Sequence, residues 1–334
     1  MLHNFVSDKA VEEILLDSAC LGLLRFTDNT VLPSHLDKAI PSLKLELIQS
    51  QQAQAQQDES QPSSKSSALY EVWQAPGENF KSGENGDIFW RASQNLQLCS
   101  ITAPLLARDD AEQITEQLYN QLLAFIEQSQ HKQIVRFWNY LPHINYGAGD
   151  KENYKRFCTG RLRAFANNGI ANAQFPAASA VGHFKEGITI YALTCSKTVS
   201  HFSNPRQVDA FKYPRQYGPS SPSFARASTV EINNSKLCFI SGTASILGHE
   251  TVHEGDLELQ LETIKKNIHF LIEEAKFNTQ DIKTLRIYLR HKNDFMTCEK
   301  IVSKHYPGAT TIYTHADICR SDLLVEIECF CISS

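Results

Sequence analysis

Two segments of the chain carry hydrophobic residues at the spacing of an amphipathic α-helix. The first begins at Asp109 and Asp110, residues that suit the N-terminal end of a helix, and extends to about Ser129. Its apolar face consists of Ile114, Leu118, Leu122, Phe125 and Ile126. The second extends from Asp256 to about Ala275, and its apolar face consists of Leu257, Leu261, Ile264, Ile268, Leu271 and Ile272. The pattern therefore predicts one long helix in each half of the chain.

Apolar and alternating runs around these helices predict β-strands. In the first half the predicted strands are 43–48, 70–73, 87–90, 96–101, 134–140 and 188–193. In the second half they are 237–246, 285–290 and 323–331. Shorter helices are predicted over roughly 152–166 and 293–305.

The order of long helix, strand, short helix and strand occurs in both halves, which indicates an internal duplication. We predict an α/β (α+β) fold of two similar domains, each a β-sheet packed against helices. The predicted boundaries are 1–203 for the first domain, 204–228 for an active-site loop between the domains, and 229–334 for the second domain. Residues 49–67 are polar and of low complexity, so they predict a mobile insert in the first domain.

The segment from Asn204 to Ala227 has a composition that neither a helix nor a flexible linker shares. It contains four prolines, which fix turns, and it interleaves aromatic with basic residues. The basic residues are Arg206, Lys212, Arg215 and Arg226, and the aromatic residues are Phe211, Tyr213, Tyr217 and Phe224. Arginine binds carboxylates through two parallel hydrogen bonds, so a stiff loop of this kind suits the capture of a small anion. The alternative is a structured surface loop whose arginines are only solvated.

The overall composition limits the class of protein. The chain has 334 residues, room for two domains, and its 42% hydrophobic and 21% charged residues are typical of a soluble globular protein. A net charge of -5 argues against general nucleic-acid binding. The sequence shows neither a signal peptide nor an apolar run of the roughly 20 residues that cross a bilayer. Its 9 Cys form no disulfide-like pattern, so we expect a cytoplasmic protein with reduced thiols.

The residues from His249 to His253 match the zinc-peptidase pattern H-E-x-x-H. That pattern places both histidines on one helical face, whereas the predicted helix here begins only at Asp256, after the motif. Gly248 and the two β-branched residues also fit a turn better than a helix, so polar loop residues are favoured over a zinc site. Gly242 and Ala244 belong to another small-residue turn, which would let a ligand approach the backbone closely.

Three cysteines near the C-terminus form a second candidate metal site. Cys329 and Cys331 alternate along the last predicted strand, and Cys319 precedes that strand. The alternation places Cys329 and Cys331 on the face shared with Val325 and Ile327, which favours a core position. On pattern alone Cys319 is an ordinary buried thiol.

Glu326 and Glu328 lie on the opposite face of that last strand. Two interpretations are open for a carboxylate in so apolar a strand. It is either salt-bridged at the surface, or buried with a raised pKa and able to act as a general acid. The pattern alone favours the surface.

The chain from about Ile134 to its C-terminus resembles the chorismatases, a family that includes the 3-hydroxybenzoate synthases. The strings that carry the resemblance are RFWNYLPHIN, FCTGR, NPRQ, YPRQYGPSSPSFARA, SGTASILGHE and DICRSDLLVEIE, in this order. The second half also resembles a RidA-type subunit. The resemblance therefore implies two RidA-like domains with the site between them.

The resemblance implies a substrate and a reaction. The substrate is chorismate, whose enolpyruvyl side chain is removed as pyruvate without a metal or an organic cofactor. By position, Glu326 is the acid that protonates the enolpyruvyl methylene. Cys319 stands where the family has a cysteine when the product is 3-hydroxybenzoate, in one subgroup together with 4-hydroxybenzoate.

The matching motifs also imply the residues that bind the substrate. The binding residues expected from them are Arg161, Tyr213, Tyr217 and Arg226. Arg206 and Arg215 are further candidates, and either could be a structural partner of the loop instead. Gly242 and Ala244 are expected to line the pocket because they are small.

Three alternative functions share parts of this pattern. They are a chorismate hydrolase that gives a dihydroxy-cyclohexadiene carboxylate, a RidA-like imine deaminase, and a RidA-like protein that binds a carboxylate without turnover. A RidA-type trimer places its sites at subunit junctions, and a duplicated chain can build such a junction internally. We therefore expect a monomer rather than an obligate oligomer, with neither nucleic acid nor membrane as a partner.

Overall fold

The computed structural model describes residues 2–7, 17–26, 42–43, 46–47, 69–105, 110–184 and 187–333. The helices within these ranges are α1 (Ala111–Gln128), α2 (Asn153–Asn167), α3 (Leu257–Glu274) and α4 (Phe295–His305). The first strands are β1 (His3–Ser7), β2 (Cys20–Phe26), β3 (Ser42–Leu43), β4 (Glu46–Leu47), β5 (Leu69–Gln74), β6 (Lys81–Asn85), β7 (Ile88–Ala92) and β8 (Leu96–Ala103). The next are β9 (Gln133–Pro142), β10 (Ala177–His183), β11 (Ile188–Cys195), β12 (Val199–Phe202), β13 (Ala227–Ile232) and β14 (Ser235–Thr243). The last are β15 (Ile246–Leu247), β16 (Glu250–Thr251), β17 (Ile282–Leu289), β18 (Thr310–His315) and β19 (Val325–Ser333).

The long helices begin where the sequence predicts them. The side chain of Asp110 accepts a hydrogen bond from the backbone N–H of Glu112 at 3.0 Å, and Asp256 does the same for Leu259 at 3.0 Å. Each aspartate thereby satisfies a backbone donor that a helix leaves free at its first turn. Most residues of the two predicted apolar faces are buried, and Ile114, Phe125 and Leu257 are partly buried against the same clusters. Asp109 lies outside the described residues.

Two large sheets contain most of the described strands and share one strand order. The first runs β10-β9-β11-β8-β7-β6, and the second runs β12-β13-β14-β19-β17-β18-β4. In the first sheet β9 pairs in parallel with β10 and antiparallel with β11, which pairs antiparallel with β8. In the second sheet β17 pairs in parallel with β18 and antiparallel with β19, which pairs antiparallel with β14. The repeated order of elements in the sequence therefore corresponds to two sheets of matching topology.

The two large sheets pack face to face. One buried cluster joins side chains of both sheets, among them Trp138 and Tyr191 from the first and Phe239 and Phe330 from the second. The outer face of the first sheet is buried under α1 and α2, and the outer face of the second is buried under α3 and α4. The layers therefore follow the order helices, sheet, sheet, helices. None of the helices in the described ranges has the length and hydropathy needed to cross a membrane.

Some early segments depart from the predictions. Within the predicted strand 43–48, Leu43 belongs to β3 of a separate sheet of order β1-β5-β2-β3, whereas β4 pairs with β18 of the second large sheet. A single strand over 43–48 is therefore wrong, because its two ends pair in different sheets. β12 also joins the second large sheet, although it precedes residue 204. The predicted insert 49–67 lies outside the described residues.

The packing of the two sheets buries both faces of the last strand. The central strand β19 pairs with β14 and β17, and both of its faces are covered. Cys329 and Cys331 are buried under α3 and α4, which confirms the core position predicted for them. Glu326 and Glu328 are only 4% and 5% exposed, because their face is turned toward the first sheet. The surface position favoured by the alternation is therefore wrong for both carboxylates.

Candidate active site

A cavity of about 610 Å³ is lined by both halves of the chain and by the segment between them. The first half contributes Asn145, Gly147, Glu152, Tyr154 and Lys155. The intervening segment contributes Gln207, Tyr213, Gln216, Tyr217, Pro222, Phe224 and Arg226. The second half contributes Gly242, Ala244, Ile246, Glu254, Cys319, Arg320, Ser321, Asp322, Leu323 and Glu326. A cavity of this size and mixed lining suits a small organic molecule.

Residues of the second half reach the cavity because they form backbone contacts with the edge of the first sheet. β10 is the last strand of that sheet, and its free edge forms bridges with Ala225 and Ile318. The backbone N–H of Gly182 also donates to the carbonyl of Asp317 at 2.7 Å. These backbone contacts hold two regions against β10: the end of the proline-rich segment (residues 204–227) and the residues just before Cys319. Residues more than ninety positions apart in the sequence thereby reach one site.

Seven of the residues expected from the sequence to form the site lie in the lining of this cavity. They are Tyr213, Tyr217, Arg226, Gly242, Ala244, Cys319 and Glu326. The proline-rich segment holds its residues by internal contacts. The guanidinium of Arg226 donates to the Val208 carbonyl at 2.8 Å and to the Tyr213 hydroxyl at 2.9 Å.

Three other expected arginines do not line the cavity. Arg161 is buried in α2, with its guanidinium 5.1 Å from the centre of the Phe157 ring. Arg206 donates from Nε to the Asn267 side chain at 2.9 Å. Arg215 is exposed and makes two hydrogen bonds to Asp150, at 2.9 and 2.6 Å.

Arg320 is a cavity residue that the sequence analysis did not identify. Its guanidinium lies 4.0 Å from the ring centre of Tyr217 and 5.3 Å from that of Tyr213. Its Nη1 donates to the backbone carbonyl of His249 at 3.0 Å. The signal available in the sequence was its place beside Cys319 in one of the strings that carry the resemblance. Arg226 and Arg320 thus approach Tyr213 from different segments of the chain. The electrostatic attraction between a cation and the face of an aromatic ring stabilises both positions.

Glu326 lines the cavity where β19 passes β14. The position opposite its carboxyl is Gly242, and an added Cβ there would lie 2.7 Å from Cδ of Glu326. Burial raises the pKa of Glu326 to about 8, the charge of Glu328 adds to the increase, and Arg136 opposes it. The carboxyl is therefore protonated near neutral pH, which is the state that a general acid requires.

Cys319 also lines the cavity and is half-buried. Burial raises the pKa of its thiol to about 12, and the charge of Glu326 contributes. The sulfur is therefore a neutral thiol at physiological pH, and nucleophilic thiolate chemistry is disfavoured.

The HETVH motif precedes the helix, as the sequence analysis predicted, and lies in a short hairpin and the turn after it. Glu250 and Thr251 form β16, and His253 has a φ of 63° in the left-handed region. Within the described residues, no group of three or more His, Cys, Asp or Glu side chains is arranged to hold a metal ion. The ring of His249 instead packs against Tyr217, with Nδ1 3.3 Å from the Tyr217 hydroxyl.

Two family models match the chain. The model described as chorismatase FkbO/Hyg5-like, N-terminal, matches residues 71–194. The model described as endoribonuclease L-PSP matches residues 220–333. The second match agrees with the RidA-like character predicted for the second half.

Individual proteins resemble most of the chain. A 3-hydroxybenzoate synthase of Streptomyces hygroscopicus is 35% identical over 274 residues, which are 77% of this chain and 80% of that protein. A chorismatase of Streptomyces rapamycinicus is 33% identical over 273 residues, again 77% of this chain and 80% of the relative. A crystal structure of a chorismatase matches with a TM-score of 0.80 and 26% identity, covering 99% of this chain and 98% of the other.

The two matching sheets and the cavity lined by both halves define a duplicated α/β protein with a site for a small molecule at the junction of its halves. The sequence identity to the relatives and the share of the chain that they cover identify the family within this class of proteins. The chain belongs to the chorismatase family.

Proposed function

We propose that this protein converts chorismate to 3-hydroxybenzoate and pyruvate. Membership of the chorismatase family supports the substrate, and the relative at 35% identity is a 3-hydroxybenzoate synthase. The observation that carries the proposal is the juxtaposition of a buried carboxyl with two guanidiniums in one cavity, since all three line it. A dianionic enol ether needs cations to bind it and an acid to protonate it.

The acid in this proposal is Glu326. The protonated carboxyl transfers its proton to the methylene carbon of the enolpyruvyl group, and the C–C double bond supplies the electron pair for the new C–H bond. The ether carbon becomes an oxocarbenium ion that an oxygen nucleophile attacks, either the neighbouring ring hydroxyl or a water molecule. Cleavage of the ether then releases pyruvate, which keeps the oxygen of the nucleophile. The ring becomes aromatic by losing one proton and the C–O bond of its hydroxyl, whose oxygen leaves in pyruvate in the first case and as water in the second. The two products together contain all the atoms of chorismate, so the net reaction consumes neither water nor an oxidant. A buried carboxyl with a raised pKa is suited to this step because it keeps its proton at neutral pH.

The substrate is held in this proposal by Arg226 and Arg320, with hydrogen bonds from Tyr213 and Tyr217. Guanidiniums bind carboxylates in bidentate fashion, and both arginines are already oriented by the tyrosine rings. Their charge counters the carboxylates that also line the cavity, Glu152, Glu254 and Asp322. Gly242 and Ala244 leave room for the substrate next to Glu326. The contacts of Arg206 and Arg215 support roles in holding the loop.

Cys319 determines the product in this proposal. Its thiol lines the same cavity as Glu326 and remains neutral, so it can hold the ring of the intermediate while the aromatic product forms. The chain therefore favours 3-hydroxybenzoate over the dihydroxy-cyclohexadiene acid of a simple hydrolase.

The test is incubation of the purified protein with chorismate. Pyruvate is measured with coupled lactate dehydrogenase, and the aromatic product is identified by chromatography against standards. We expect pyruvate and 3-hydroxybenzoate in equal amounts. Heat-inactivated protein is the control, because chorismate decomposes slowly on its own. Pyruvate formation no faster than in that control would refute the proposed function.

A further inference from the structure

Glu328 is a buried carboxylate that the proposed reaction does not use. It lies two residues beyond Glu326 on the same face of β19, so the two carboxyls point to the same side of the strand. Five side chains bind it. Oε2 accepts from Trp138 Nε1 at 3.0 Å and from Arg286 Nη1 at 3.2 Å, while Oε1 accepts from the Tyr288 hydroxyl at 3.0 Å and pairs with Arg136 Nη2 at 3.1 Å. The Ser179 hydroxyl donates a further hydrogen bond. A carboxyl with two cations and three neutral donors is fixed in the ionised state.

The surrounding charges balance without Glu326. Arg286 pairs with Glu71 as well as with Glu328, and Arg136 donates to the carbonyl of Ile240 and to the hydroxyl of Ser179. Two buried guanidiniums therefore face two carboxylates, Glu71 and Glu328. Glu326 makes no ion pair with any residue in the part of the chain that the structure describes. A negative charge on Glu326 would be countered only in part, by Arg136, which already pairs with Glu328, and would stand beside a fixed anion.

We propose that Glu328 is a positioning residue whose permanent negative charge, fixed by Arg136, Arg286, Trp138 and Tyr288, keeps the neighbouring Glu326 carboxyl protonated. The inference rests on the proposed function, since it explains how the acid of that reaction keeps its proton. Glu328 lines no part of the cavity and acts only through Glu326.

The shifts in pKa agree with this arrangement. Burial acts first on both carboxyls and favours protonation. For Glu328 the charges of Arg136 and Arg286, with hydrogen bonds from Ser179 and Tyr288, outweigh burial and lower the pKa. For Glu326 the charge of Glu328 adds to burial, and Arg136 counters only part of the increase. The pair therefore separates into one anion and one neutral acid, as coupled carboxyls do.

The ionisable groups around the pair come from several elements. Those acting on Glu326 are Glu328 from β19, Arg136 from β9 and the Cys319 thiol. Those around Glu328 are Arg136 and Tyr140 from β9, Arg286 and Tyr288 from β17, Glu71 from β5 and Glu326 itself. Glu328 is the anion that lies nearest to Glu326 along the same face of β19. We therefore choose Glu328 as the residue to substitute.

The experiment titrates the carboxyl of Glu326 directly by infrared spectroscopy. The carbonyl stretch of a protonated carboxyl is followed against pH in the wild type, and its loss in Glu326→Gln assigns the band. In Glu328→Gln the midpoint of this band should fall by about one pH unit or more, since a like charge has been removed. Glu71→Gln is the matched control. It removes another buried carboxylate of the same cluster, one whose ion pair is with Arg286, and its midpoint should stay near that of the wild type.

A second variant keeps the test decisive if Glu328→Gln does not fold. The double variant Glu328→Gln, Arg286→Gln removes one buried charge of each sign and leaves Arg136 and Glu71 as a balanced pair. Its midpoint should also fall, because the charge of Glu328 no longer adds to burial at Glu326. Arg136→Gln is the control of opposite sign, since it removes the cation that lowers the pKa of Glu326, and its midpoint should move to higher pH. An unchanged midpoint in a folded variant that lacks Glu328 would overturn the role of Glu328.

The infrared titration is independent of turnover. If the wild type releases no pyruvate from chorismate, the proposed function fails while the band still reports on the pair of carboxyls. If pyruvate is released and the midpoint does not respond to Glu328→Gln, the function stands and this inference fails.

Discussion

An alanine at position 242 would place a methyl group against the carboxyl of Glu326. The added Cβ would lie 2.7 Å from Cδ of Glu326 and 3.2 Å from Cβ of Ser179. Carbon atoms in contact are normally about 3.5–4.0 Å apart, so the carboxyl must retreat by about 1 Å. Gly242 lies at a register shift between β14 and β19, and its N–H donates to Ser179 Oγ at 3.0 Å, so the backbone is held on this side.

The expected effect of Gly242→Ala is mainly on catalysis. Misplacement of a reacting group by about 1 Å costs about 10²-fold in rate, so kcat/KM for pyruvate release from chorismate should fall by about that factor. Overpacking should also lower the free energy of unfolding by about 1–3 kcal/mol, too little to unfold a protein of ordinary stability at 25 °C. Coupled pyruvate release measures the first effect, and thermal unfolding measures the second.

Gly308→Ala is the matched control for this prediction. Gly308 is exposed, and a Cβ added there would meet no atom within 4 Å, so both activity and stability should stay near wild-type values. A Gly242→Ala protein with wild-type kcat/KM would refute the reasoning, because it would show that the contact with Gly242 does not set the position of Glu326. A similar loss in both variants would point to an effect unrelated to that contact.

Two further predictions concern pH and product. The pKa of Glu326 is raised to about 8, and its protonated form is the acid in the proposed reaction, so kcat for pyruvate release should be constant below neutrality and fall as the pH rises through about 8. A fall near the ordinary glutamate pKa of about 4.3 would contradict this. Cys319→Ala should shift the product from 3-hydroxybenzoate toward the dihydroxy-cyclohexadiene acid while pyruvate release continues, and an unchanged product mixture by chromatography would refute a role for Cys319.

Sequence patterns predicted helices and strands well where several local signals agree on the same element. The long helices carry both a capping aspartate and an apolar face, and each signal lies within one stretch of sequence. The alternation in β19 separated the face with Cys329 and Cys331 from the face with Glu326 and Glu328. It did not show that a second sheet covers the glutamates, because that cover comes from residues such as Trp138, nearly two hundred positions away.

The candidate site was predictable only in part, because its residues come together from distant parts of the sequence. The composition of the proline-rich segment indicated a binding loop, and the motifs that resemble the chorismatases indicated Glu326 and Cys319. Nothing local separates Arg226, which lines the cavity, from Arg215, which pairs with Asp150 at the surface. The buried partners of Glu328 belong to β9 and β10 of the first sheet and to β17 of the second, and only the tertiary structure brings them together.

The central claim is that Glu326 supplies the proton for cleavage of the enolpyruvyl ether, and Glu326→Gln tests it most directly. Glutamine has nearly the same shape and fills the same place, but it cannot donate that proton. With chorismate as substrate, pyruvate release should fall by about 10²–10⁴-fold, with thermal unfolding close to that of the wild type. Wild-type pyruvate release by Glu326→Gln would contradict the account.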